Sequence, residues 1–190
     1  MNAGLIQRLR RGWGNETYSA PSSFLERIAA LARNTGGPIL ECGSGCSTAL
    51  LGLLAGSRGV EVWSLEHDPR WLKETETRLR RYRIGGVRLV LAPLRSFGDF
   101  TWYDAPAGPP FPDRFTLVVC DGPPSMSTQG GRYGLLPLMG HRFAAGTEIL
   151  LDDARRPEDR AVIDRWISER PLRMELDEAA GRGIAHLTVA

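Results

Sequence analysis

PILECGSGCST, residues 38–48, decides the fold. A short apolar run, 38–42, meets a glycine-rich turn, and residues 48–55 continue as a helix. Glycines at 43 and 45 let backbone approach a ligand closely, and the turn opens onto a helix N-terminus. Working outward, strands are predicted at 60–65 (VEVWSL), 87–91, 115–120 (FTLVVC), 147–151 (TEILL), 172–176 and 184–189. Helices are predicted over 68–82, 134–143 and 157–169. The first of these carries Asp68 as its N-cap and Pro69 in its first turn. FTLVVC is apolar throughout, as a parallel strand covered on both faces should be. Strand and helix in alternation give a doubly wound, Rossmann-like α/β fold with a mostly parallel sheet. The last two strands read as an antiparallel hairpin on one edge.

Three further segments complete the reading. Ser23 with Glu26 forms a capping-box pattern ahead of a helix ending near Asn34. Residues 1–20 lack a clear period and form a candidate N-terminal lid carrying Trp13 and Tyr18. Residues 95–114, rich in proline, glycine and aromatics, read as an insertion loop. The whole chain, 1–190, is expected to form one domain.

Composition narrows the function. Net charge is +2, too small to point to nucleic acid, and Lys73 is the only lysine. Hydrophobic residues make up 42% and charged residues 24%, which places the chain among globular proteins rather than disordered ones. No apolar run approaches the ~20 residues of a membrane span, and the opening stretch lacks the apolar core of a secretory leader. Cys42, Cys46 and Cys120 cannot all pair within the chain and complete no zinc pattern, so buried thiols and a cytoplasmic location are expected.

In open sheets of this kind ligands bind beyond the carboxyl ends of the strands, where the strand order switches. There the sequence places Glu41, Gly43, Ser44, Gly45, Ser47 and Thr48 after the first strand. A carboxylate at 41 would repel a dinucleotide pyrophosphate and suit a cationic amino-acid moiety. Thr48 stands where the third glycine of a dinucleotide fingerprint would be, which disfavours a nucleotide-dependent oxidoreductase. Glu66, roughly twenty residues past the glycines, is placed to accept hydrogen bonds from ribose hydroxyls, with His67 beside it. Asp121 and the pair Asp152 and Asp153 end strands predicted to be adjacent. Three such carboxylates need a divalent cation or arginines, and Arg132, Arg155 and Arg156 are near in sequence; both solutions stay open. Residues 130–133 (GGRY) read as a segment able to close over a substrate.

Together, ILECGSGCST, VWSLEHDP, LVVCDGPP and ILLDDARRPE resemble the bacterial class I methyltransferases, over roughly Ala20 to Trp166. The resemblance implies S-adenosylmethionine as cofactor. Glu41 would then hold its methionine ammonium, the loop of Gly43, Ser44, Gly45, Ser47 and Thr48 would lie along it, and Glu66 and His67 would meet its adenosine, with Asp121 beside the transferred methyl. The combination of GSG-ST, DGPP and LDD-R is similar to small domains linked to sugar or polysaccharide O-methylation. Asp121, Asp152 and Asp153 also resemble the site of catechol-type O-methyltransferases, where an acidic residue and an Asp-Asn pair hold magnesium; here Asp153 replaces the asparagine. That likeness implies Mg²⁺ or another divalent cation on the three carboxylates. Asp121 and Asp153 would orient and deprotonate an acceptor hydroxyl. The expected acceptor is a small molecule or glycan. The alternative is a methyltransferase-like module that binds cofactor or a partner without turnover; no oligomeric state is legible.

Overall fold

The computed structural model describes residues 3–15, 19–105 and 111–190. In chain order the strands are β1 (Ile39–Cys42), β2 (Val62–Glu66), β3 (Val87–Leu91), β4 (Leu94–Ser96), β5 (Thr101–Tyr103), β6 (Phe115–Cys120), β7 (Phe143–Asp152), β8 (Leu172–Asp177) and β9 (Ile184–Val189). The helices are α1 (Ala3–Trp13), α2 (Ser22–Ala32), α3 (Cys46–Leu54), α4 (Pro69–Arg81), α5 (Leu135–Met139) and α6 (Pro157–Glu169). Seven strands form one sheet in the order β3-β2-β1-β6-β7-β9-β8. Strands β3, β2, β1, β6 and β7 run parallel, and β9 runs antiparallel to both β7 and β8. The doubly wound sheet and its antiparallel edge hairpin are therefore present as the sequence predicts.

Alternation along the strands builds two cores, one on each face. Ile39, Val62, Leu117, Val119 and Leu150 face α1, α2, α3 and α4, where they meet Ile6, Phe24, Ile28, Leu50 and Leu79. Leu40, Trp63, Leu65, Val118 and Ile149 face the other way, against Leu135 of α5 and Ile163 and Trp166 of α6. Helices on both faces are what a parallel sheet requires, because its strands have no solvent face.

Several local readings are corrected. Ser23 lies inside α2, whose N-cap is Pro21 without a side-chain cap; the Leu25 N–H binds the Pro21 carbonyl instead. The capping-box pattern fails because the chain enters the helix two residues early. The first twenty residues do contain a helix. Ile6 and Trp13 of α1 are buried in the core, and Asn15, Ser19 and Ala20, which follow, line the cleft described below. Arg78 stacks on the Trp13 ring at 5.2 Å and donates to its carbonyl, and Tyr82 donates to the Gly12 carbonyl at 2.8 Å. Tyr18 lies outside the described residues. Residues 94–103 form the β4–β5 hairpin, and Trp102 is only 1% exposed. The first part of the segment read as an insertion loop is thus packed on the core, while residues 106–110 lie outside the described residues. All three cysteines are buried and unpaired, and among the described residues no helix is long and apolar enough to cross a membrane.

Candidate active site

The sheet order switches between β1 and β6, and the loops that follow these strands abut. The backbone N–H groups of Asp121 and Gly122 both reach the Cys42 carbonyl, at 3.1 and 2.7 Å. A Cβ on Gly122 would lie 2.4 Å from Tyr103 Oη and 3.0 Å from the Gly43 Cα. Gly43 has φ +90° and would set its own Cβ 3.2 Å from the Gly122 nitrogen. Close approach and a left-handed backbone both require glycine here. Above this seam opens a cleft of about 590 Å³, in the range of small-molecule sites. Gly43, Ser44, Gly45, Ser47, Glu66, His67, Asp121, Asp152 and Asp153 all line it, as the sequence reading grouped them.

Glu66 ends β2 and anchors one wall. Its Oε2 accepts from the Ser44 N–H at 3.1 Å and the Ser44 hydroxyl at 2.8 Å; its Oε1 accepts from the N–H groups of His67 and Asp68. His67 Nδ1 lies 3.0 Å from the same Oε1. Burial alone would raise this carboxyl, but the His67, Asp68 and Ser44 hydrogen bonds together outweigh it and hold Glu66 below its usual range. The Glu66 carboxylate raises His67 in turn. Trp71 of α4 donates from Nε1 to the Ser44 carbonyl at 2.7 Å and pins the glycine loop from the side. Tyr103 lines the cleft with a buried hydroxyl that has no partner among the described residues.

Glu41 and Thr48 are corrected. Neither lines the cleft. Glu41 is the penultimate residue of β1, so alternation turns its side chain toward α3 rather than outward. Its Oε2 accepts from Thr48 and Ser64, each at 2.6 Å, while Thr48 accepts from the Gly45 N–H at 2.8 Å. The pair braces the glycine loop from behind. Burial pushes the Glu41 carboxyl from its ordinary 4.5 up to about 7, against hydrogen bonds from Ser47, Ser64 and Thr48. In an unfolded chain this carboxyl ionises near 4.5, so between that pH and about 7 the folded state holds a proton the unfolded state lacks. Stability from this site is fully present below 4.5 and is lost as pH rises to about 7. Glu41→Gln mimics the protonated form. It should be the more stable protein at pH 8, by up to about 3 kcal/mol, with little difference at pH 4.5; urea unfolding at the two pH values checks this.

The opposite wall is acidic and basic at once. Asp121, Asp152 and Asp153 bring carboxylate oxygens within 4.8 Å of one another. Asp153 follows β7 in a left-handed turn, φ 58°, which directs it into the cleft. Into this group projects Arg132, only 2% exposed. Its Nη1 donates to the Asp152 carbonyl at 2.5 Å and its Nη2 to the Asp121 carbonyl at 2.8 Å. The same guanidinium lies 3.3 Å from Asp121 Oδ1, 3.5 Å from Asp153 Oδ2 and 3.6 Å from Asp159 Oδ1. Arg156 sits 2.8 Å from Asp153 Oδ2, and Arg182 sits 2.5 Å from Asp153 Oδ1. Arg155 does not join the cluster; it reaches the Glu178 carbonyl at 3.4 Å. The 130–133 segment is therefore held rather than free, and Trp166 donates to the Tyr133 carbonyl at 2.9 Å. Burial raises Asp121 and Asp152, and each is raised further by the neighbouring carboxylates. Asp152 Oδ1 is buried without a hydrogen-bond partner among the described residues.

This donor set does not fit a divalent ion as it stands. Both Asp153 oxygens and Asp121 Oδ1 already face guanidinium nitrogens. The sequence reading missed Arg182, Asp159 and Trp71; of the two aromatics it weighed as acceptor-stacking candidates or packing residues, Tyr103 lines the cleft and Trp102 is buried in the core. Arg182 comes from the β8–β9 turn, and Asp159 resembled any first-turn carboxylate of a helix; only tertiary packing brings them in.

No protein-family model and no curated protein matches this chain. Solved structures do. A Podospora anserina methyltransferase with SAH bound superposes with a TM-score of 0.67 at 17% identity, over 100% of this chain and 88% of that one. A SAM-dependent O-methyltransferase from Thermotoga maritima gives 0.70 at 15% identity, over 98% and 71%. The tRNA methyltransferase TrmI from Aquifex aeolicus gives 0.66 at 14%, over 96% and 75%. The chain has the class I methyltransferase fold that these proteins share.

Proposed function

From this fold and this cleft, we propose that the chain is an S-adenosylmethionine-dependent methyltransferase acting on a hydroxyl oxygen of a sugar or another small hydroxyl compound. The observation that carries the reading is Glu66: an ionised carboxylate at the end of β2, lining the cleft across from a glycine loop that its own hydrogen bonds shape. The residues fit the cofactor. Glu66 receives the ribose hydroxyls, His67 borders the adenine, and the backbone from Gly43 to Gly45 leaves room for close approach. Ser47 lines the same wall, while Glu41 and Thr48 hold the loop's shape from behind.

When bound, S-adenosylmethionine supplies a methyl group on a sulfonium, already activated, so the chain's part is alignment. Asp121, at the end of β6, stands between the glycine loop and the acidic wall and faces the reacting centre. Asp152 and Asp121, whose burial makes them better bases than ordinary carboxylates, orient the acceptor hydroxyl and take its proton. Asp153, first expected in that role, has both oxygens committed to arginines and instead fixes Arg156 and Arg182 at the rim.

The test is transfer of labelled methyl to panels of sugars, phenols and other small alcohols. Product on a hydroxyl class supports the reading. Cofactor binding with no transfer to any panel would favour the non-enzymatic module. Asp121→Asn should keep affinity for S-adenosylhomocysteine within about threefold while transfer falls about 10²-fold or more. Full activity in that variant would remove Asp121 from the mechanism.

A further inference from the structure

The cleft's acidic wall has the composition of a metal site and the wiring of something else. Three carboxylates converge as a divalent ion would require, yet a guanidinium already stands among them. Arg132 is not a surface arginine that swung inward. Two main-chain carbonyls, from the ends of β6 and β7, fix its fork, and Asp159, wholly buried and itself bound by Ser125 at 2.6 Å, holds its far side. A planar fork held by backbone on two adjacent strands cannot leave without stranding those carbonyls and Asp159. A cation placed among Asp121, Asp152 and Asp153 would meet this charge at short range in a buried setting, where repulsion is weakly screened. Asp152 Oδ1, Asp153 Oδ1 and Asp159 Oδ2 are buried without a hydrogen-bond partner among the described residues; Arg182 faces the second and Asp159 does not line the cleft, which leaves Asp152 Oδ1 for an acceptor.

We infer that Arg132 takes the place of a divalent cation in this chain, and that the cleft meets its acceptor without metal, through the free oxygen of Asp152. The internal guanidinium neutralises the carboxylates and sets their positions, which are the structural duties of the ion. It offers no open coordination position, so the acceptor must carry a hydrogen-bond donor, a hydroxyl being the simplest. A compound whose only handle is a metal-chelating pair of oxygens gains nothing here from that pair. This inference rests on the cleft being the transfer site.

The experiment uses the whole chain, freed of metal with a chelator, and titrates Mg²⁺ and Mn²⁺ alone, then S-adenosylhomocysteine with and without each metal. For the natural sequence neither metal should bind saturably or shift the Tm, and the affinity for S-adenosylhomocysteine should be the same within about twofold in chelator and in metal. Saturable Mn²⁺ binding, or loss of transfer in chelator, would overturn the inference. R132Q supplies the converse. With the guanidinium gone, Asp121 and Asp152 become a two-carboxylate cation site while Arg156 and Arg182 stay on Asp153, and Mn²⁺ well above its dissociation constant should raise the Tm by roughly 5 °C or more. A folded R132Q that Mn²⁺ does not stabilise would also overturn it. Should R132Q not fold, the metal titration of the natural sequence decides alone. Failure to bind S-adenosylhomocysteine under any condition would sink the proposed function while leaving the metal result standing.

Discussion

Glu66→Ala should weaken binding of S-adenosylhomocysteine at least about 100-fold, the largest effect expected of any single change in the cleft. Two ribose hydroxyls donating to an ionised carboxylate are worth roughly 1.5–3 kcal/mol each, and alanine removes both. It also releases Ser44, whose N–H and hydroxyl bind Glu66 Oε2, so the glycine loop keeps only the Gly43 N–H bond to the Leu65 carbonyl as its tie to β2. Glu66→Gln separates the two contributions. It keeps the side chain's size and one acceptor oxygen but puts an amide donor against the N–H groups now facing the carboxylate. Its affinity should fall between those of the natural sequence and the alanine variant. Calorimetric titration of all three proteins, with circular dichroism to establish folding, reads the result. Unchanged affinity in a folded Glu66→Ala would remove Glu66 from the cofactor site.

Arg132→Met should cost about 3–5 kcal/mol of stability at neutral pH, because it deletes one side of a buried charge network and strands the other. Asp121 and Asp153 would keep each other's repulsion without the central cation, Asp159 would keep only Ser125, and the carbonyls of Asp121 and Asp152 would lose their donor. The loss should shrink as pH falls, since protonation removes the carboxylate charges that the guanidinium balances. Urea unfolding at pH 7.5 and pH 5 measures both. A change within about 0.5 kcal/mol, the range of an ordinary surface substitution, would show that the network holds nothing together.

β3, β6 and β9 stand at the predicted residues; β6 was legible as the unbroken apolar run of a parallel strand covered on both faces, whereas β3 at the sheet edge and the antiparallel β9 were legible as short β-branched and apolar runs preceded by glycines. The candidate site was legible for the same topological reason, since polar residues that end such runs collect at one edge of the sheet. Glu41 was misplaced by one step of alternation. The predicted strand ends at Cys42 as β1 does, and a two-residue period puts Glu41 on the same face as Ile39, toward α3 and not the cleft. α1 was missed because Ile6, Leu9 and Trp13 are few and set among arginines, and the apolar surface they pack on is built only when α2 and α3 come together. The arginine wiring of the acidic wall was half legible: Arg132 and Arg156 were among the candidates, but Arg182 enters from the turn before β9. Whether a carboxylate cluster is balanced by an ion or by arginines depends on side-chain geometry that no spacing in the sequence encodes.

Whether the cleft at the β1–β6 switch binds S-adenosylmethionine is decided by calorimetric titration of S-adenosylmethionine and S-adenosylhomocysteine into the full chain. The predicted result is saturable binding of both at one site per chain. Folded protein that takes up neither compound would contradict it.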